Sequence, residues 1–314
     1  MLPGHVARVR RHPAARPGRG IHRPAIPAGQ EHPPMILVQI SDTHIDEPGA
    51  LVYGHFDTSW ALTKAVEIVN AMDPGPDLVL HTGDIASHGS VPRYQAFKEI
   101  TTALEAPLAV IPGNHDDRDA LRLVFGGTSS LPTTGDFLHY VIEDQAVRII
   151  CCDTVIADET PGEMCPERLA WLEARLSETP DRPTIVALHH PPFYSGMTGS
   201  SAKGLVRGGA ELDVLLRRHG QVVCVLAGHV HRSISTKFGG TIAISGPTTC
   251  YPFGLDTGPE RLLNISHEPP AIAVHLWLPD ATPAGPGLVS HTLPIGDWAP
   301  PITLLKAGVR VLAT

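Results

Sequence analysis

The chain is short of cysteine, of long apolar runs and of basic charge, and each shortage argues against a class of function. Its five cysteines, Cys151, Cys152, Cys165, Cys224 and Cys250, are odd in number and show no C-x-x-C spacing. That pattern speaks against a disulfide frame and a thiolate zinc site, and reads as reduced thiols in a cytoplasmic protein. No apolar run approaches the roughly 20 residues of a membrane span. Lysine and arginine number 24 against 32 acids, for a net charge of −8. Phosphate backbones are held by basic surfaces, which argues against duplex nucleic acid as the main partner. A nuclease is disfavoured as well, because no basic stripe interleaved with aromatics is present.

What remains is ordinary for a soluble globular chain: 314 residues, 42% hydrophobic and 18% charged. That length suffices for one large or two small domains with a sizeable core. The 18 histidines are the unusual feature.

Residues 1–34 differ from the rest. They hold six arginines, no lysine and one acid, Glu31, among many prolines and glycines. Without apolar periodicity such a stretch cannot offset its ordering entropy. It also lacks the apolar stretch of a secretory signal. It is expected to be a disordered extension, with Met35 as the functional start. The body, residues 35–314, is expected to be one catalytic domain that includes the C-terminal strands, and it carries about −13.

Within the body, residues 35–40 form a continuous apolar run, the pattern of a buried strand. Asp57 or Thr58 is placed to cap a helix running to about Met72, with Leu62, Ala65, Val66 and Val69 on one face. Strand 78–80, helix 91–104 and strand 108–111 follow, so the order is strand, helix, strand, helix, strand. Such an order predicts parallel strands, with sites at their carboxyl ends. Residues 137–142 and 147–152 read as an antiparallel hairpin. Helices are expected over 166–176 and 212–219, with strands over 184–188 and 222–226. Residues 195–209, rich in Gly and Ser, read as a long loop near the site. The strand-like stretches 233–238, 241–245, 272–278 and 288–293 are expected to form a second sheet packed on the first.

Five apolar runs stop at loops bearing Asp, Asn or His. These loops are Ser41-Asp42-Thr43-His44, Gly83-Asp84, Gly113-Asn114-His115-Asp116, His189-His190-Pro191-Pro192 and Gly228-His229-Val230-His231. Hard N/O ligands delivered together by five strand ends would build a metal site. Carboxylate, imidazole and amide oxygen without thiolate suit Mn²⁺, Fe²⁺/Fe³⁺ or Zn²⁺. Alternation along an extended chain would turn His229 and His231 to the same side.

Each residue alone has an ordinary reading. Asp42 caps turns as readily as it binds ions, Gly83-Asp84 is a common loop, His189 suits a core, and Asn114 suits a turn. Seven such coincidences in this order are a different matter. The series D-x-H, G-D, G-N-H-D, H-x-P and G-H-x-H resembles the calcineurin-like metallophosphoesterase superfamily over roughly residues 35–295. Gly83-Asp84-Ile85-Ala86, the run from Gly113 to Arg118, and His189-His190-Pro191-Pro192 are most similar to its bacterial class III cyclic nucleotide phosphodiesterases.

The resemblance implies an α/β fold, a four-layer αββα sandwich of two packed mixed sheets flanked by helices, with two divalent metal ions. By motif match Asp84 would bridge them. Asp42, His44 and His231 would complete one site, and Asn114, His189 and His229 the other. A bridging hydroxide would then attack phosphorus in line. His115 would stabilise charge on the phosphoryl oxygens and protonate the leaving alkoxide. Asp116 is expected to orient the His115 ring, and Arg118 to cap local structure. The expected role of His190 is split between structure and substrate, while His55, His81, His88 and His139 fit no motif.

The expected function is a metal-dependent phosphodiesterase acting on 3′,5′-cyclic nucleotides, cyclic AMP foremost. The alternative is hydrolysis of glycerophosphodiesters or other small diesters. A non-catalytic scaffold ranks third, since no motif position is missing. Phe193, Tyr194 and Tyr251 are candidates to stack a base, and equally packing residues. The resemblance also implies a tendency to form homodimers.

Overall fold

The computed structural model describes residues 34–127, 131–199, 204–283, 285–299, 302–303, 305–306 and 309–310. The expected disordered extension lies outside them apart from Pro34, as do residues 200–203 of the expected loop 195–209.

The first half alternates as anticipated: β1 (Met35–Ile40), α1 (Thr58–Asn70), β2 (Leu78–His81), α2 (Val91–Thr101) and β3 (Leu108–Val110). The three strands pair in parallel, Leu37 opposite Leu78 and Val79 opposite Leu108. Helix α1 begins where Asp57 accepts the Trp60 N–H at 2.8 Å, a cap worth about 0.5–2 kcal/mol. Leu62, Ala65, Val66 and Val69 face the core from it. A further helix, α3 (Arg118–Phe125), was not anticipated; Asp117 caps it and Leu121 and Phe125 are buried. Its eight residues are shorter than the window of about 11–18 residues over which helical periodicity is read.

A second series follows: β4 (Tyr140–Ile142), β5 (Arg148–Cys152), β6 (Gly162–Glu163), α4 (Pro166–Glu178), β7 (Thr184–Leu188), β8 (Leu205–Arg207), α5 (Gly209–Arg217) and β9 (Val222–Ala227). The series continues with β10 (Ile234–Phe238), β11 (Thr241–Ser245), β12 (Ala271–Thr282) and β13 (Gly285–Pro294). Two short strands, β14 (Leu305–Lys306) and β15 (Val309–Arg310), close the described chain. The stretch read as a loop thus carries β8, which pairs with β6.

Two main sheets result, in the orders β13-β12-β1-β2-β3 and β10-β11-β9-β7-β5-β4. This corrects the expected grouping of the last four strands. The hairpin β12–β13 joins the first sheet, Met35 standing opposite Trp277, while β10 and β11 extend the sheet begun by β4 and β5. Alternation along the strands then builds the layers. Ile149 and Cys151 of β5, Ile185 and Ala187 of β7, and Cys224 and Leu226 of β9 join the core shared with the first sheet. The residues between them, Ile150, Val186 and Val225, pack instead with Leu172 and Leu176 of α4 and Leu212 and Leu215 of α5. This is the helix–sheet–sheet–helix sandwich the resemblance implied. No helix among the described residues is long and apolar enough to cross a membrane.

Candidate metal centre

Parallel strands all end on one side, and here five of them end together. From the first sheet, β1 delivers Asp42 and His44, β2 delivers Asp84, and β3 delivers Asn114 and His115. From the second, β7 delivers His189, and β9 delivers His229 and His231. The chain turns sharply at these ends: Asp42, His44, Asp84, His229 and His231 all have φ between 43° and 71°. Left-handed backbone is costly for residues with a Cβ, and such strain gathers at functional sites. His229 and His231 therefore meet the cluster from a bend, not from an extended strand as expected. Val230 between them is fully buried.

The side chains converge closely. Ligand atoms of Asp42, His44 and His231 lie within 4.8 Å of one another, as do those of Asp42, Asp84 and His189 and of His44, Asp84 and His115. Asp84 is common to the last two groups. Its Oδ1 accepts the His115 N–H at 2.9 Å, and its Oδ2 lies 3.7 Å from His44 Nε2 and 3.4 Å from His189 Nε2. Asn114 Oδ1 lies 2.9 Å from His229 Nδ1 and 3.2 Å from His189 Nε2. All seven expected ligands are thus brought together.

The hydrogen bonds around the rim fix which atoms carry lone pairs. His189 Nδ1–H donates to the Thr82 carbonyl at 2.7 Å, and His231 Nδ1–H to the Tyr251 carbonyl at 2.8 Å. The Nε2 of each then faces inward, His189 toward the Asn114 oxygen and His231 toward His44 Nε2 at 3.0 Å. Each inward pair is close enough to share a proton or a cation between its two atoms. The residues present fit cations.

Electrostatics agree. Burial opposes charge on His189, but the carboxylates of Asp84 and Asp42 outweigh it and push the imidazole up to about 9. Burial likewise works against an ionised Asp84, yet the imidazoles of His189, His115 and His44 hold its carboxyl well below the usual range. Burial raises Asp42 and takes His44 well below its usual value. Charge is thus favoured on His189 and Asp84, while burial favours the neutral forms of Asp42 and His44.

His115 stands at the edge of the centre, its ring 4.9 Å from that of His44. Its Nδ1–H donates to the Ser87 carbonyl at 2.8 Å. Ser87, not Asp116, therefore orients this imidazole. The Asp116 carboxylate is engaged elsewhere: it accepts the N–H groups of Gly113, Ile85 and Ala86 and the hydroxyl of Tyr94. It ties the loop carrying Asp84 to the loop carrying Asn114.

Other histidines also find places. His190 is buried against Thr154 Oγ1 and the Thr160 carbonyl, so its ring is structural. His81 is buried, accepting the Gly83 N–H and meeting Thr43 Oγ1. His139 accepts the Asp153 N–H and stacks on Trp171. His88 is exposed and lies parallel to His115 at 6.2 Å. Arg118 is held by both oxygens of Asp153, in keeping with a local structural role. Tyr251 is buried against His44 and His231, which removes it from base stacking.

The orienting groups Ser87, Thr82 and Tyr251 act through backbone carbonyls, which leave no mark in a sequence. One overlooked signal was legible: Gln39, an amide inside the apolar run of β1.

Comparison with known proteins points the same way. Residues 35–233 match the family model described as calcineurin-like phosphoesterase. The chain is 35% identical over 267 residues to a probable glycerophosphodiester phosphodiesterase of Arcobacter nitrofigilis, spanning 85% of this chain and 96% of that protein. It is 32% identical over 220 residues to the 3′,5′-cyclic adenosine monophosphate phosphodiesterase of Pseudomonas aeruginosa, spanning 70% and 78%. Among solved structures, a dimetal phosphatase from Danio rerio superposes with a TM-score of 0.58 at 14% identity, covering 83% of this chain and 99% of that one. At that identity the likeness speaks for the fold alone.

Proposed function

The chain belongs to the calcineurin-like phosphoesterase family and is a metal-dependent phosphodiester hydrolase; we propose that its substrates are small diesters of polar alcohols, glycerophosphodiesters foremost. This places the alternative from the sequence ahead of cyclic AMP. The observation behind that order is the cavity beside His115. It measures about 530 Å³ and is lined by Asp117, Arg118, Asp119, Arg122, Asp136 and Asp158 beside His115, with no Phe, Tyr or Trp in its wall. Hydroxyl-bearing leaving groups suit such a wall; a nucleobase finds no Phe, Tyr or Trp to stack on there. The relative named for glycerophosphodiesters also matches this chain over the greater length.

In this reading Asp42, His44 and His231 hold one divalent ion, Asn114, His189 and His229 hold another, and Asp84 serves both. Such ions would supply Lewis acidity at a phosphoryl oxygen and a water of lowered pKa. Mn²⁺, Fe and Zn²⁺ all suit these donors. The chain itself does the rest. His115, its Nδ1–H committed to Ser87, offers Nε2 for charge stabilisation and for the proton taken by the leaving oxygen. Asp116 keeps the loops of Asp84 and Asn114 in register. The five free cysteines support a reducing, cytoplasmic setting.

Hydrolysis of 3′,5′-cyclic nucleotides is the second reading. Tyr53, 66% exposed, stands edge-on to Tyr251 beside His44 and offers a face to a base. The test is kcat/KM of the Mn²⁺-loaded enzyme on glycerophosphocholine, cyclic AMP and an aryl diester, since discrimination lies in that ratio. A clear preference for glycerophosphocholine is expected. Preference for cyclic AMP would reverse the order, and failure on all three would sink the proposal.

A further inference from the structure

A run of buried side-chain hydrogen bonds leads from the protein surface to Asp42 through the first sheet. Ser290 on β13 meets His275 Nδ1 at 2.8 Å, and His275 Nε2 meets Gln39 Oε1 at 3.1 Å. Gln39 Nε2 donates to Thr82 Oγ1 at 2.9 Å and to the Ala227 carbonyl at 2.8 Å. Thr82 donates to Ser41 Oγ at 2.7 Å, and Ser41 donates to Asp42 Oδ2 at 2.5 Å. Gln39, Ser41, Asp42, Thr82 and His275 are all fully buried, while Ser290 is exposed.

The direction of this run is fixed by chemistry. The Ala227 carbonyl only accepts, so the Gln39 amide nitrogen must face it and the amide oxygen must face His275. His275 then carries its hydrogen on Nε2, and Nδ1 accepts from Ser290. Burial draws the His275 imidazole down to about 4, so the ring is neutral at physiological pH and has one hydrogen to give. Every donor therefore points toward the Asp42 carboxylate. The packing allows little else: a Cβ on Gly246 would come within 2.7 Å of the Gln39 amide, and one on Gly228 within 2.2 Å of Ser41 Oγ.

We propose that Gln39 and His275 are positioning residues: through Thr82 and Ser41 they pin Asp42 Oδ2, so that Asp42 presents Oδ1 to a divalent ion shared with His44 and His231. Oδ1 lies 3.6 Å from His231 Nε2. The inference rests on the two-ion reading of the centre. It assigns the run to the ion of Asp42, because among the described residues Asp42 is the one ligand side chain that the side chains of the run meet; its contacts with the other set pass through backbone, from His189 Nδ1–H to the Thr82 carbonyl and from the His229 N–H to the Asp42 carboxylate. Outer partners of metal ligands are worth about 10–100-fold in affinity.

The test is calorimetric titration of the chelator-stripped full chain with Mn²⁺. Gln39→Met removes the donor to Thr82, and Gln39→Glu keeps the shape but has no hydrogen to give. Both are expected to weaken one ion by about tenfold or more and leave the other within about twofold. His275→Leu should follow them, and His275→Gln, which keeps a donor toward Gln39, should restore most of the loss. Ser290→Ala, at the exposed end where folding is not at risk, should weaken the same ion. Unchanged affinities in all these variants, or equal weakening of both ions, would overturn the inference. A wild-type chain that binds no ion would instead overturn the two-ion reading, and this inference with it.

Discussion

Gly113→Ala adds a single methyl group at the centre. A Cβ at Gly113 would stand 2.3 Å from both the backbone nitrogen and Oδ1 of Asp84, and 2.8 Å from His189 Cε1. Ordinary contact begins near 3.4 Å, so 3.4 less 2.3 leaves about 1.1 Å that Asp84 must yield. Asp84 cannot yield freely. It already has left-handed backbone, and the Ile85 N–H beside it is held by Asp116. A misplacement of about 1 Å costs about 10²-fold in rate. That is about 2.7 kcal/mol of transition-state stabilisation. Overpacking adds a stability cost of about 1–3 kcal/mol. The assay is kcat/KM on an aryl diester with saturating Mn²⁺, alongside urea unfolding. Gly220→Ala, whose Cβ meets nothing within 4 Å, is the control and should behave as wild type. Turnover of Gly113→Ala within about threefold of wild type would refute the close-approach argument, since it requires the displacement to cost far more.

Other expectations follow from the same contacts. Asp116→Asn turns an acceptor-only group into one with two hydrogens facing buried donors, so at least one backbone N–H is orphaned. Urea unfolding should show a loss of about 1–3 kcal/mol; full stability would show that the carboxylate does not tie the loops. His115→Ala should keep the wild-type ion stoichiometry while kcat falls about 10²–10⁴-fold; undiminished kcat would remove its assigned role. Burial holds His81 down to about 3 and His275 to about 4, against an ordinary 6.5. As pH falls the unfolded chain takes up these protons first, so stability is held above about 6.5 and lost toward about 3. Unfolding free energies measured from pH 7 to 4 should decline; a flat profile would contradict neutral burial of these rings.

The strand ends were legible because apolar runs broken by Asp, Asn or His follow a period that local sequence carries. Helix α1 was legible for the same reason, down to its Asp57 cap. Sheet membership was not. β1 pairs with β12, putting Met35 opposite Trp277, and nothing in either run names a partner so distant along the chain. The orientation of His115 was also hidden, because a carbonyl at Ser87 has no sequence signature. Asp116 was misjudged through its proximity to His115, whereas its partners Ile85 and Ala86 lie 31 and 30 positions away. The bend at His229 and His231 went against backbone preference, and such conflicts between local rule and fold belong at functional sites.

The central claim is that seven side chains from five strand ends hold two ions that turnover requires. Its most direct measurement is a metal titration of chelator-stripped protein, with bound ion and diester turnover followed together. Two ions per chain are predicted, with no turnover before metal is restored, and with both binding and turnover lost in Asp84→Ala. Full turnover by the metal-free chain, or wild-type turnover by Asp84→Ala, would contradict the claim.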